Sequence, residues 1–341
     1  MKVSGLGEFG LIDVLAELVE AEGKQGEAWQ NLILGIGDDA AVWRCPSGCQ
    51  LATIDALVQD VHFKLSLSSW EELGWKSLAV NISDIAAMGG FPRYALVSLA
   101  LPPDIAVNDI ICFYQGMLSL ARKYGVAVVG GNISRAPLVV INIAVYGDVP
   151  GPSSPLLTRS SAEPGDRIAV TGSLGSSAAG LEMLTRGLHF DPETESVLRQ
   201  SFLKPSPRVK EGRILVSSGV RTGIDISDGL VSDLTHICQA SALSARVQIE
   251  KVPVASCVSS CFGDTAVQKA LSGGEDYELL FTAPEDIIDN VSSLLEPVGC
   301  PVTVIGEMFA DSASKVILLD RDGRIIPSTG SGWDHFAKGD A

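Results

Sequence analysis

The sequence lacks the features that most directly announce a membrane protein, a nucleic-acid binder or a P-loop enzyme. No apolar run approaches the roughly 20 residues that are needed to span a bilayer, and no GxxxxGK[ST] pattern is present. Basic residues are also few, with 25 Lys and Arg against 41 Asp and Glu and a formal net charge of −16. We therefore expect neither a nucleic-acid nor a membrane partner, and we expect small molecules instead.

Cysteine and histidine are sparse and scattered. Seven cysteines include two close pairs, Cys45 with Cys49 and Cys257 with Cys261, but neither pair has a nearby histidine to complete a zinc site. The four histidines lie far apart, so spacing proposes no Ser/His/Asp triad. An odd cysteine count without a secretory signal favours a reducing compartment, and we expect the cytoplasm.

What the chain does contain predicts a mixed α/β protein of two domains. The sequence is 46% hydrophobic and has 35 glycines, which suits strands and helices joined by tight turns. A capping-box pattern at Ser69 and Glu72 predicts a helix that ends near residue 89, and apolar spacing predicts another over 107–124. Residues 150–155, PGPSSP, favour a linker. We therefore predict an N-terminal domain over 1–149 and a C-terminal domain over 150–341.

Aspartates recur at turns in the first half of the chain. In GIGDDAAV at 35–42, two glycines permit a tight turn that presents adjacent carboxylates, either as a cation-phosphate site or as an acidic surface turn. Asp55 follows a strand-like segment. Asn81 and Asp84 share a helix face, among apolar neighbours where an unpartnered carboxylate would be costly. Asp84 is therefore predicted to have a cationic partner.

The second half repeats this theme. Asp225 and Asp228 flank Ser227 directly after a predicted strand, and two carboxylates so close repel each other unless a cation or a proton neutralises them. A glycine turn in SGGEDYEL at 272–279 presents further acids, although a plain hairpin turn also fits. GGN at 130–132 and GSLGSS at 172–177 end strands, and free backbone N–H groups there are candidates to receive phosphate, although as isolated patterns both are more often structural.

Together these motifs resemble the thiamine-monophosphate kinase family over nearly the whole chain. The segments that carry the resemblance are GIGDDAAV at 35–42, LAVNISDIAAMGG at 78–90, GGN at 130–132, DISDGL at 225–230, SGGEDYEL at 272–279 and WDHF at 333–336. The wider superfamily includes aminoimidazole-ribonucleotide synthetase, selenophosphate synthetase and a hydrogenase-maturation enzyme. The resemblance implies an aminoimidazole-ribonucleotide synthetase-like architecture and a homodimer that pairs through the N-terminal domains. It also implies a cleft, bordered by both domains, for ATP and several Mg²⁺ ions.

The resemblance also implies roles for single residues. The implied magnesium ligands are Asp39, Asp55, Asp84, Asn132, Asp225 and Asp228. The positions expected near ATP are Tyr114, Gly131, Asn132, Arg159 and Ser227, and those expected near the substrate are His62, Glu275 and Trp333. The indole of Trp333 suits a cationic thiamine ring, although an ordinary core tryptophan is the alternative.

One position departs from the family pattern. The family reads GGDT where this chain has Gly130, Gly131, Asn132 and Ile133, so a neutral amide replaces an expected magnesium carboxylate. Asparagine still offers a carbonyl oxygen but no charge. We therefore expect a lower metal affinity or rate.

The activity that the resemblance implies is in-line transfer of the γ-phosphoryl group of ATP to thiamine monophosphate. The acceptor is already anionic, so we assign no general base. Two alternatives remain open at this point. One is another ATP-dependent synthetase reaction of the superfamily, and the other is a nucleotide-binding regulatory homologue with weakened catalysis, which Asn132 favours.

Overall fold

The structure is a computed structural model that describes residues 2–21, 26–34, 42–43, 48–151 and 155–327. Asp39 and Trp333 lie outside these ranges, as do most of the GIGDDAAV motif, the WDHF motif and the middle of the predicted linker. The chain divides into two compact units, one of Met1–Ile85 with Gly90–Ser154 and the other of Ala86–Gly89 with Pro155–Ala341. The functional roles predicted for the two domains stay predictions.

The first unit contains a four-stranded sheet, a two-stranded sheet and three long helices. Its described elements are α1 (Val3–Ala21), α2 (Glu27–Asn31), β1 (Leu32–Leu34), β2 (Val42–Trp43), β3 (Gly48–Val58), α3 (Trp70–Ala87), β4 (Phe91–Leu101), α4 (Val107–Tyr124), β5 (Ala127–Arg135) and β6 (Val140–Pro150). The last two residues of α3 group with the second unit. The strand order is β3-β6-β4-β5, and β4 and β5 run parallel while the other pairs are antiparallel.

Local sequence signals set the start of α3 and the end of α4. The backbone N–H of Ser69 donates to Glu72 Oε2 (2.8 Å) and the N–H of Glu72 donates to Ser69 Oγ (3.2 Å), which confirms the predicted capping box at the start of α3. α4 ends at Gly125 in the left-handed conformation, as the sequence predicts. Both helices therefore begin or end where short-range interactions place them.

Two glycines bring α3 and α4 unusually close. A Cβ atom at Gly74 would lie 1.8 Å from the carbonyl oxygen of Phe113, and one at Gly116 would lie 1.9 Å from that of Glu71. No side chain fits at either crossing point, so the two backbones touch. This contact fixes α3 as a rigid support for the side chains that it presents to the sheet.

The second unit is a layered α/β arrangement. Its described elements are β7 (Arg167–Thr171), α5 (Ser176–Arg186), α6 (Pro192–Leu203), α7 (Val209–Ser217), β8 (Thr222–Asp225), α8 (Leu230–Ser241), β9 (Ser244–Gln248), α9 (Ser256–Phe262), α10 (Ala266–Ser272), β10 (Leu279–Ala283), α11 (Glu285–Leu295), β11 (Val302–Phe309), β12 (Val316–Leu319) and β13 (Ile325–Ile326). The seven strands lie in the order β13-β12-β9-β11-β7-β10-β8, antiparallel except for the pair β12 and β9.

Alternation along the central strands builds a core on each face of this sheet. Ile168 and Val170 pack with residues of α8 and α10, whereas Ala169 between them packs with residues of α7 and α11. Helices therefore cover both faces. The predicted mixed α/β class with two domains is confirmed.

Within the ranges given above, no helix combines the length and the apolar character that crossing a membrane requires.

Candidate active site

In the first unit, β3 and α3 bring two predicted metal ligands together. Thr53 Oγ1 donates to Asp84 Oδ2 (2.5 Å), and the backbone N–H of Asp55 donates to Asn81 Oδ1 (3.0 Å). Thr53 and Asp55 are two residues apart on one strand, so their side chains share the face that α3 covers. Asn81 and Asp84 lie one turn apart on α3. Asp55 and Asp84 therefore both lie where β3 meets α3.

These contacts refine the expectation for Asp84. Its side chain is half-buried and accepts a hydrogen bond from the hydroxyl of Thr53, while the expected cationic partner stays a prediction. Asn81 is fully buried, and its amide also donates to the carbonyl of Ser77 (3.1 Å), which fixes the orientation of the side chain that holds Asp55. Sequence reasoning missed Thr53. The available signal was its position two residues before Asp55 on the same strand.

The structure does not place Asn132 beside Asp55 and Asp84. Asn132 on β5 pairs with Ser98 on β4, whose neighbours Val97 and Leu99 point into the core. Asn132 thus occupies the sheet face opposite to that of Asp55. β5 and β3 are also at opposite edges of the four-stranded sheet, about 14 Å apart at the usual strand spacing. Asn132 and its neighbour Gly131 are exposed.

Two other predicted residues of the first unit have distinct surroundings. Tyr114 is buried on α4 with its ring edge-on to Phe113, and burial raises the pKa of its hydroxyl. His62 lies in the turn after β3, where its Nδ1 accepts the backbone N–H of Val58 (3.0 Å). The neutral imidazole therefore carries its proton on Nε2.

In the second unit, the segment between β8 and α8 presents Asp225, Ser227 and Asp228. Asp225 ends β8 and is 4% exposed. The backbone N–H groups of Ser227, Asp228 and Gly229 all donate to a single oxygen, Asp233 Oδ2, each at 3.1 Å. The chain turns into α8 at Gly229, whose φ of +116° strongly favours glycine.

Asp233 makes this end of the unit strongly acidic. It is 1% exposed, and burial together with the charges of Asp225 and Asp228 raises its pKa to about 8. Ligand atoms of Asp228, Asp233 and His236 lie within 4.8 Å of one another. Sequence reasoning missed Asp233, although it interrupts the apolar stripe of α8 beside Leu234, and a buried aspartate in such a stripe signals a partner.

The two acidic motifs of the second half form one structure. Ser227 and Ile226 supply the carbonyls that accept the N–H groups of Glu275 (2.7 Å) and Tyr277 (2.9 Å), and Ile226 donates to the carbonyl of Glu278 (2.8 Å). Glu275 and Tyr277 both have positive φ angles, 66° and 53°. This backbone pairing places Glu275 directly beside Ser227, as a shared site requires.

The N-terminus of α5 is occupied by a side chain of the protein itself. The N–H groups of Gly175 and Ser177 donate to the two carboxylate oxygens of Asp276 (2.7 and 3.2 Å). Burial raises the pKa of Asp276 to about 7. At these two amides the structural alternative for 172–177 is therefore confirmed and the phosphate alternative is wrong, because a half-buried carboxylate already accepts them.

A buried ion pair supports the same segment from behind. Both Glu278 oxygens accept hydrogen bonds from Arg208, one of them from Nε at 2.7 Å, and Thr171 Oγ1 donates to Oε2 (2.7 Å). Burial raises the pKa of Glu278 even beside this guanidinium. Sequence reasoning missed Arg208 because the two partners are 70 residues apart.

Arg159 lies away from the Asp225–Asp228 end of β8. Its carbonyl accepts from Ser241, the last residue of α8, and the adjacent Thr158 pairs with Thr222 at the start of β8. Asp225 and Asp228 lie at the other ends of these two elements. The structure therefore brings Ser227 and Glu275 together with the aspartates of the second unit. It leaves Arg159 near the other end of β8, about 10 Å from Asp225 along the strand.

Comparison with known proteins identifies the family. The family of AIR synthase related proteins matches residues 37–149 through its N-terminal domain and residues 163–319 through its C-terminal domain. The thiamine-monophosphate kinase of Bacillus subtilis (strain 168) is 39% identical over 89% of this chain and 93% of that protein.

Solved structures agree. The crystal structure of thiamine-monophosphate kinase from Stenotrophomonas maltophilia K279a is 33% identical, covers 92% of this chain and 96% of that chain, and superposes with a TM-score of 0.82. AaThiL complexed with AMPPCP and TMP is 34% identical, covers 98% of this chain and 99% of that chain, and gives a TM-score of 0.76. These matches confirm the resemblance that the motifs carry, and the chain belongs to the thiamine-monophosphate kinase family.

Proposed function

We propose that this chain transfers the γ-phosphoryl group of ATP directly to the phosphate of thiamine monophosphate, giving thiamine diphosphate and ADP, with Mg²⁺ held by its aspartates. ATP-dependent phosphorylation of thiamine monophosphate is the activity that the family membership gives to this chain. One observation carries the assignment. A relative that matches 98% of this chain holds AMPPCP, a non-hydrolysable ATP analogue, together with TMP.

The donor groups in the structure fit Mg²⁺, which prefers oxygen ligands. Asp55 and Asp84 would hold the metal in the first unit, and Asp225 and Asp228 in the second. The carboxylates of Asp225, Asp228 and Asp233 concentrate negative charge at this end of the second unit, and a cation there would relieve their mutual repulsion. Asp39 and Asn132 stay proposed ligands. When bound, Mg²⁺ would offset the charge of two polyanionic reactants and of the transferring group.

The remaining proposed contacts orient the two reactants. His62 offers an Nε2–H donor that suits a phosphate oxygen of the substrate, because its Nδ1 is already used by Val58. Glu275 and Trp333 are proposed on the thiamine side, where negative charge and an indole face both favour a cationic ring. Tyr114, Gly131, Arg159 and Ser227 are the proposed ATP contacts. The acceptor phosphate is anionic, so positioning suffices and no general base is needed.

A homodimer through the first unit is part of the proposal. Ile54 on β3 points away from the face that carries Thr53 and Asp55, and it is 66% exposed, which is unusual for a large apolar residue in a sheet. A second copy of this chain on that face would cover it. Ile54→Lys is expected to lower the molar mass in solution from that of two chains to that of one.

A cytoplasmic location also belongs to the proposal. Cys49, Cys112, Cys238, Cys257, Cys261 and Cys300 are free thiols, which suits a reducing compartment.

The test is product formation by matched variants. Purified chain, ATP, Mg²⁺ and thiamine monophosphate are incubated, and thiamine diphosphate is measured. Asp84→Asn and Asp228→Asn should each lower the rate by about 100-fold or more, since each removes one negative charge from the proposed metal ligands. Asp166→Asn is the control, because Asp166 is a buried carboxylate that accepts from Glu163 and Thr282, not at the proposed site. Wild-type rates in both site variants would refute the metal role, and nucleotide binding without any product would favour a regulatory homologue.

A further inference from the structure

The loop between β8 and α8 is held by the carboxylate of Asp233, a residue that has no assigned role in the proposed function. Oδ2 of Asp233 accepts the N–H groups of three consecutive residues, Ser227, Asp228 and Gly229, each at 3.1 Å. Gly229 precedes α8 and has no side chain with which to cap the helix. The acceptor instead comes from the first turn of α8 itself.

This arrangement fixes more than the start of a helix. A peptide bond is planar, so a hydrogen bond that orients an N–H group orients its whole peptide plane. Three oriented planes in succession leave residues 227 and 228 almost no backbone freedom, and their Cα–Cβ directions follow from that. Those two residues are the proposed nucleotide contact and a proposed metal ligand.

We infer that Asp233 is a positioning residue, which acts through the backbone of 227–229 to aim Ser227 and Asp228 at nucleotide and metal. The inference rests on the proposed function, because that function assigns the two residues their ligands. Asp233 is 1% exposed and lies next to Asp225 and Asp228. Without its acceptor oxygen, the three N–H groups lose their common partner and the loop samples other conformations.

The experiment compares Asp233→Ala, which removes the acceptor, with Asp233→Asn, whose amide oxygen can accept the same three N–H groups. Asp166→Ala is the matched control, since Asp166 is also a buried carboxylate (7% exposed) that accepts a backbone N–H, that of Glu163, at 3.0 Å. Three quantities are measured on the full chain: the Mg²⁺ concentration for half-maximal rate, the affinity for AMPPCP with Mg²⁺ by calorimetry, and hydrogen exchange of the peptide that covers 225–230.

Asp233→Ala should raise the half-maximal Mg²⁺ concentration and weaken AMPPCP binding by about tenfold or more, the usual effect of losing a group that supports metal ligands. Hydrogen exchange at 225–230 should become faster without any ligand. Asp233→Asn should stay within about threefold of wild type, and Asp166→Ala should lower the melting temperature without changing the Mg²⁺ requirement. If Asp233→Ala does not fold, Asp233→Glu replaces it, because its longer side chain displaces the acceptor oxygen and should also raise the Mg²⁺ requirement.

Two results would overturn the inference. One is a wild-type Mg²⁺ requirement and wild-type exchange in Asp233→Ala. The other is an equally large loss in Asp233→Asn and Asp233→Ala, which would mean that the charge of Asp233 acts directly on the metal. A wild-type chain that forms no thiamine diphosphate would instead count against the proposed function, and exchange at 225–230 would still test the role of Asp233.

Discussion

Replacing Arg208 by methionine should strongly destabilise the second unit. Arg208 binds both oxygens of Glu278, whose side chain is 9% exposed, while Arg208 itself is 24% exposed. Removing one partner of a buried pair leaves an uncompensated charge and typically costs about 3–5 kcal/mol. Because Arg208 is partly exposed, we expect about 3 kcal/mol. For a unit of this size that corresponds to a fall of roughly 6–12 °C in melting temperature.

The loss should also depend on pH. Burial raises the pKa of Glu278, and Arg208 is the main group that opposes this rise. A raised carboxyl pKa means that its contribution to stability is lost as pH increases. Without Arg208 the pKa in the folded state rises further, so the deficit of Arg208→Met relative to wild type should grow as pH rises above the wild-type pKa of Glu278.

Calorimetry is the suitable assay, because four of the five tryptophans, at 29, 43, 70 and 75, belong to the first unit and their fluorescence reports little on the second. The control is Arg208→Met combined with Glu278→Gln, which removes the charge but keeps an acceptor for Thr171. The double variant should recover about 2 kcal/mol of the loss. A cost below about 1 kcal/mol for Arg208→Met, or no recovery in the double variant, would refute the reasoning.

Three further outcomes follow from single side chains. Burial raises the pKa of Asp276 to about 7, so the contribution of this group to stability is lost between about pH 4 and pH 7. The free energy of unfolding of Asp276→Asn should therefore rise by up to about 4 kcal/mol relative to wild type across that range. A constant difference between the two in urea unfolding would contradict this. Asn132→Asp tests the proposed metal role of residue 132: direct metal contact predicts an Mg²⁺ concentration for half-maximal rate that is about tenfold lower, and an unchanged Mg²⁺ titration would show that residue 132 does not contact metal, in keeping with its position on the face opposite to Asp55. Thr53→Val loses the hydrogen bond to Asp84 and should cost about 1–2 kcal/mol in urea unfolding followed by tryptophan fluorescence, whereas Thr53→Ser should retain most of it.

Short-range signals in the sequence predicted much of the fold. The capping box of Ser69 and Glu72 and the glycine at 125 mark helix ends because the groups involved are within a few residues of each other. The apolar, β-branched runs at 126–129 and 138–145 indicate strands, and they overlap β5 and β6, which begin one or two residues later and extend further. Strand ends were less predictable, because a strand extends as far as its neighbours in the sheet allow.

The candidate site was predicted in pieces but not as an arrangement. Motif spacing indicated Asp84, Asp228 and Glu275, and the family resemblance gave them roles. The spacing did not indicate that Asp276 fills the N-terminus of α5, or that Asp233 gathers three amides. Asp233 is buried and Asp276 is half-buried, and the partners of both carboxylates are defined only once the chain has folded.

The sequence alone determined the identity of the reactive groups, the helix ends and the family, because these depend on residue type and on contacts between near neighbours. The tertiary structure decided which groups meet. Asp55 and Asn132 lie on opposite faces of one sheet, while Ser227 and Glu275 share a hydrogen bond although they are 48 positions apart in the sequence. Such pairings depend on strand register and on the order of strands, and one residue of register reverses the face to which every side chain points.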